Sequence, residues 1–165
     1  MIRTRGMAFG CLVALLGLDR AGADSNAFQA DSVALKATVT LNGKAYSFSG
    51  KGECQHATEA SIYQVPATMW RASFQAGGGA LEHVNLSLWQ PKAGGAIQVN
   101  LQIVAGGTTY EIATVKGTTQ RGTGTARVER AEQSGTLLVT GVTAAGHPIQ
   151  LSIACSRFTA PEENG

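Results

Sequence analysis

Residues 39–54 read VTLNGKAYSFSGKGEC. Val39 and Leu41 alternate with Thr40, Asn42-Gly43 follows, and Tyr46 and Phe48 then alternate with Ser47 and Ser49. Strict apolar–polar alternation marks a strand with one buried and one solvated face. Asn-Gly tolerates positive φ at both central positions, as a two-residue type I′ hairpin turn requires. The stretch therefore reads as a β-hairpin. Counting in twos from Tyr46 through Phe48, Gly50 and Gly52 brings Cys54 to the apolar face.

The same period recurs on both sides of this hairpin. Val33, Leu35 and Ala37 extend its first strand upstream. Downstream, Trp70, Ala72 and Phe74 point one way and Arg71 and Ser73 the other. Val84, Leu86 and Leu88 alternate with His83, Asn85, Ser87 and Trp89. Ile97, Val99, Leu101 and Ile103 alternate with Gln98, Asn100 and Gln102. Tyr110 with Ile112, Ala126 with Val128, Leu137 with Val139, and Ile149, Leu151, Ile153 and Cys155 complete the series. Gly-rich clusters at 77–79, 91–95, 106–107 and 117–124 separate the runs,. Residues 55–68 are the exception: they follow no period and are expected as an irregular loop. The fold class is all-β, a single antiparallel β-sandwich or barrel of about nine strands closed by one disulfide. The β-domain is expected over 33–158, between an N-terminal tail at 24–32 and a C-terminal tail at 159–165.

Residues 1–23 read as a cleavable leader. Arg3 and Arg5 precede an apolar run at 7–18 that is too short to span a bilayer comfortably, and Ala21-Gly22-Ala23 supplies small residues for cleavage before Asp24,. Of 13 basic and 11 acidic residues, Arg3, Arg5, Arg20 and Asp19 fall in the leader, so ten of each remain. The formal charge of +2 thus belongs to the leader, and the remainder has no electrostatic reason to seek nucleic acid,. The expected location is periplasmic or extracellular, with no transmembrane segment after cleavage. Cys11 precedes most of the apolar core, the wrong side for a lipidated cysteine.

Cleavage leaves Cys54 and Cys155 in a compartment that permits oxidation. Both lie on the apolar face of their strands by parity, near opposite ends of the domain. They are expected to pair, closing a loop that the chain-entropy model values at roughly 4–5 kcal/mol. The competing reading is two separately buried thiols.

Val39, Leu41, Asn42, Gly43, Lys44, Phe48, Gly50 and Cys54 resemble the LpqH-like family of small mycobacterial lipoprotein antigens. The run Gly122, Gly124, Ala126, Val128, then Gly141 and a strand ending at Cys155, is similar too. The resemblance covers roughly a third of the chain and rests on turns, strand faces and cysteines. It implies an exported cell-envelope β-domain without assigned catalysis. The chain departs from the family in having no lipobox, and Trp70, Trp89 and the segment after Cys54 have no counterpart there.

No catalytic constellation stands out. His56, His83 and His147 lack metal-ligand spacing, and a site using Glu53, Cys54, His56 and Glu59 would compete with the disulfide,. There is no Gly-x-Ser-x-Gly nucleophile elbow. Glu53, Glu59, Glu82 and Glu111 each sit among outward polar residues. Gly122-Thr123-Gly124 precedes a strand, so no helix N-terminus is there to hold an anion. No metal, cofactor or enzymatic activity is expected. The aromatic residues Tyr63, Trp70 and Trp89, around the irregular segment, form the candidate partner surface. The expected role is a non-enzymatic binding or surface role in the envelope, with a protein or an apolar ligand as partner. The alternative is an inhibitor or binder of another exported protein, acting through the segment after Cys54.

Overall fold

The computed structural model describes residues 32–115, 119–131 and 133–161. The leader expected over 1–23, with Cys11, lies outside the described residues, as do 24–31 of the N-terminal tail and 162–165 of the C-terminal one. Nine strands make up the fold: β1 (Val33–Leu41), β2 (Lys44–Ile62), β3 (Val65–Gln75), β4 (Leu81–Pro91), β5 (Gln98–Ala105), β6 (Thr108–Ala113), β7 (Thr123–Ala131), β8 (Ser134–Val142) and β9 (Pro148–Cys155). All pair antiparallel, in the order β6-β5-β4-β3-β2-β1-β9-β8-β7. Asn42 and Gly43 have φ of 51° and 78°, the left-handed pair that the Asn-Gly hairpin requires,.

The sheet curls until its two outer strands meet, giving a nearly closed barrel. At the end of β6 and just before β7, Ala113 and Arg121 exchange both backbone hydrogen bonds, at 2.7 and 2.9 Å. Ile112 packs across the same seam onto Gly124 and Gly141, where an added Cβ would lie 3.1 and 2.7 Å from its methyl groups. Of the two architectures open from sequence, the continuous curled sheet is the one formed.

The long strand β2 makes the curl. Its 19 residues serve two partners in turn: 44–52 pair with β1 and 53–62 with β3. The change-over falls beside Gly50 and Gly52, both on the inward parity. A Cβ on Gly52 would lie 2.5 Å from both a Leu35 methyl and the Ser73 carbonyl oxygen. A Cβ on Gly50 would lie 2.7 Å from the Phe48 ring. A strand that must bend inward has no room for side chains on its concave side, and glycine supplies the missing space. Phe48 covers the gap and stacks on Phe74, with ring centroids 4.1 Å apart.

Immediately past this corner, Cys54 is bonded to Cys155 across 101 residues of sequence. The bond ties the second half of β2 to the end of β9. The chain then continues along the edge of β2 that β3 leaves open. The Thr159 N–H donates to the Cys54 carbonyl and the His56 N–H to the Thr159 carbonyl, each at 2.9 Å. Thr159 thus joins the sheet. The inward side chains, among them Val39, Leu41, Val84, Leu86, Leu88, Leu101, Ile103, Ile112, Leu137, Ile149 and Ile153, are at most 2% exposed. Among the described residues no helix is long and apolar enough to cross a membrane.

Gly52→Ala is expected to lower stability by about 2–3 kcal/mol in urea unfolding, because backbone and Leu35 must both move. Gly77→Ala, with open space around the added methyl, should change it by less than about 0.5 kcal/mol,. Reduction should add about two daltons to the intact mass and cost about 2–5 kcal/mol; an unchanged mass would exclude the bond in the isolated protein.

Candidate functional site

Residues 55–68, expected as an irregular loop, are strand except for a tight turn. The reason the segment shows no period is a bulge. Ala57 pairs with Met69 and Ala60 with Ala67, so Thr58 and Glu59 together face Thr68 alone. One extra residue reverses the inward–outward parity. Ile62, which would otherwise point inward, is carried to the outer face. Lys92 holds the bulge from the β4–β5 connection, its Nζ 2.5 Å from Glu59 Oε1 and its backbone N–H 2.9 Å from the Pro66 carbonyl.

At the tip of this hairpin, Tyr63 and Gln64 have φ of 49° and 66°. Left-handed backbone costs a bulky L-residue about 1–2 kcal/mol, and glycine or asparagine would occupy these positions with less strain. Tyr63 is 65% exposed and Val65 47%, the largest exposures of any sizeable apolar side chain among the described residues.

The tip borders an open groove of about 680 Å³ on the outer face of β4–β6. Its floor is built by register. Asn85 pairs with Gln102 and Gln102 with Glu111; one step along, Ser87 pairs with Asn100 and Asn100 with Ala113. Each of these side chains points away from the core. Ile62, Tyr63 and Trp89 form the apolar wall. The indole N–H of Trp89 is buried without an acceptor among the described residues, so this side chain offers the groove an apolar surface rather than a donor.

Glu111 closes the far side. Arg121 Nη1 donates to its Oε2 at 2.5 Å and Gln102 Nε2 to its Oε1 at 3.2 Å. These hydrogen bonds hold the carboxyl below the usual carboxylate range, outweighing the opposing effect of burial,. Glu111 therefore stays ionised and paired near neutral pH. The side-chain amides of Asn85 and Asn100 are exposed and have no hydrogen-bond partner among the described residues.

The three aromatic residues singled out from sequence do not stay together. Tyr63 and Trp89 share the groove. Trp70 does not belong to the partner surface: it is 8% exposed, and its ring lies inside the barrel end beneath His56, at 5.3 Å between centroids. The parity of its strand already placed it inward. Phe158 flanks His56 from the C-terminal segment. His147 sits in the β8–β9 turn, with its Nδ1 3.0 Å from Asn42 Nδ2 and its ring edge-on to Tyr110. Cys54, being bonded to Cys155, offers no thiol. Asn85, Asn100, Gln102 and Arg121 read from sequence as solvated surface rather than as candidate site residues. The available signal was the run of amides at Gln98, Asn100 and Gln102, where a merely solvated face more often carries charges.

Comparison of the chain with family models, with curated proteins and with solved structures finds no match.

Burial, and secondarily the positive charge of Arg130, hold the His56 imidazole below its ordinary value of 6.5. The unfolded chain therefore takes up this proton at a higher pH than the folded one. Stability from this group is fully present above about pH 6.5 and is lost as pH falls from there to the lower folded value. Glu111 acts only further down, below about 4.5. In pH-dependent urea unfolding, the decline just below pH 6.5 should flatten in His56→Gln; an identical decline in the variant would show that another group carries it.

Proposed function

We propose that this chain is a non-enzymatic binding domain of the cell envelope, exported by its leader and related in kind to the LpqH-like antigens. Its binding face is the β2–β3 hairpin tip together with the adjoining groove. The observation that carries this reading is the exposed Tyr63 and Val65 at a turn whose two central residues are strained non-glycines. Strain of this kind persists where the surrounding structure enforces it, and it concentrates at sites that contact other molecules. The disulfide agrees with an oxidising compartment,.

A catalytic role has less support. Glycoside hydrolysis calls for two carboxylates flanking the bond, one of them protonated. Glu111, the carboxylate that lines the groove, is held ionised by Arg121. The reading of the hairpin as a plug for another protein's cleft is also weaker, since Tyr63 and Ile62 wall a concave polar surface as well as forming a projecting tip.

Co-sedimentation with isolated envelope material from the producing cell tests the proposal. The mature protein should be retained. Tyr63→Asn keeps a residue that tolerates the left-handed turn and removes the ring. It should weaken retention about tenfold, equivalent to about 1.4 kcal/mol, with the thermal midpoint unchanged or raised. Equal retention of the two proteins would remove this face from the function.

A further inference from the structure

We infer that the groove takes a neutral oligosaccharide, with a sugar ring against Tyr63 and Trp89 and its hydroxyls bonded to Asn85, Asn100 and Gln102. This rests on the proposed binding face and assigns that face a ligand class.

The argument starts from what the floor offers. A primary amide presents a donor and an acceptor side by side. Adjacent hydroxyls of a sugar do the same, each donating and accepting. Asn85 and Gln102 face one another across neighbouring strands, about 5 Å apart,. Asn100 lies two residues from Gln102, on the same outward face. The free amides of Asn85 and Asn100 would form bonds to a ligand without breaking any within the protein. Their cost of engagement is therefore limited to displaced water and lost side-chain freedom.

The wall offers the complementary chemistry. A pyranose carries C–H bonds on its ring faces, and aromatic side chains present matching flat apolar surface with few rotamers to freeze. Tyr63 is exposed and held by the two-residue turn, and the groove volume of about 680 Å³ falls within the usual size of small-ligand sites,. The left-handed backbone at Tyr63 thus gains a purpose: it fixes a ring beside the amides.

Charge excludes the main competitors. Glu111 and Arg121, the charged side chains among the described residues that line the groove, neutralise one another, so this lining carries no net charge to favour a polyanion or a charged headgroup. A peptide adding itself to the sheet would need an open strand edge, but the amides of the floor lie on β4 and β5, each of which is paired on both sides. A lipid chain would leave the amides of the floor unsatisfied.

The test is titration of the mature, oxidised protein with chitotetraose, cellotetraose, maltotetraose and a heparin-derived tetrasaccharide, followed by calorimetry and amide NMR. At least one neutral tetrasaccharide should bind at up to millimolar concentration and shift the resonances of Tyr63, Trp89 and Asn100. Raising the salt concentration should leave that affinity unchanged. Tyr63→Asn and Asn100→Ala should each weaken it by about fivefold or more, about 1 kcal/mol, with unfolding midpoints at or above wild type. The inference is overturned if no neutral tetrasaccharide binds, if only the heparin fragment binds and salt abolishes it, or if both variants bind like wild type. Should the neutral sugars fail while Tyr63→Asn still releases the protein from envelope material, the ligand class is wrong and the binding face stands. Failure of both measurements removes the face as well.

Discussion

Everything in this barrel depends on the space left empty at Gly52. There β2 stops pairing with β1 and begins pairing with β3, and a Cβ would collide with Leu35 and the Ser73 carbonyl at once. The close approach brings the two groups of strands into one curved sheet. With that corner made, Phe48 lies over Gly50 and stacks on Phe74. Cys54 arrives within bonding distance of Cys155. The C-terminal segment can then run along the open edge of β2 and reach Thr159. The disulfide secures an arrangement that the glycines permit.

The same long strand makes the candidate site at its other end. Past the corner, a single extra residue at Thr58–Glu59 turns Ile62 outward and sends the hairpin tip over the face of β4–β6. Two departures from regular strand geometry, one by absence of side chains and one by an added residue, therefore serve separate purposes. The first closes the core. The second opens a concave surface on a sheet whose outer face would otherwise be convex. The seam at Ala113 and Arg121 contributes as well, because closing the barrel brings Arg121 to Glu111 and neutralises the charge beside the amides.

Much of the barrel was legible in the sequence because strand alternation is local. Leu35, Val84, Leu101 and Ile153 occupy the inward positions that counting in twos assigns them, and Asn42-Gly43 turns as its composition requires. The pairing of Cys54 with Cys155 followed from the same parity. The site was much less legible. A bulge destroys the period that reveals a strand, so 55–68 read as loop. Tyr63-Gln64 carries none of the residues that announce a tight turn. Trp70 and Trp89 look alike in composition, and only strand parity separates the buried one from the one on the groove.

By itself the sequence determined which side chains face inward along the regular strands and where most turns fall, since each follows from a period of two or from a residue's own backbone preference; the cysteine pairing it offered as an expectation became a bond only in the fold. The tertiary structure decided that the sheet closes as a barrel, that β2 divides itself between two partners, and that Tyr63 meets Trp89 and the amides of β4 and β5. Those outcomes depend on contacts between residues far apart in the chain. A strand's alternation specifies its faces but not its neighbours, and a groove exists only when neighbours are placed.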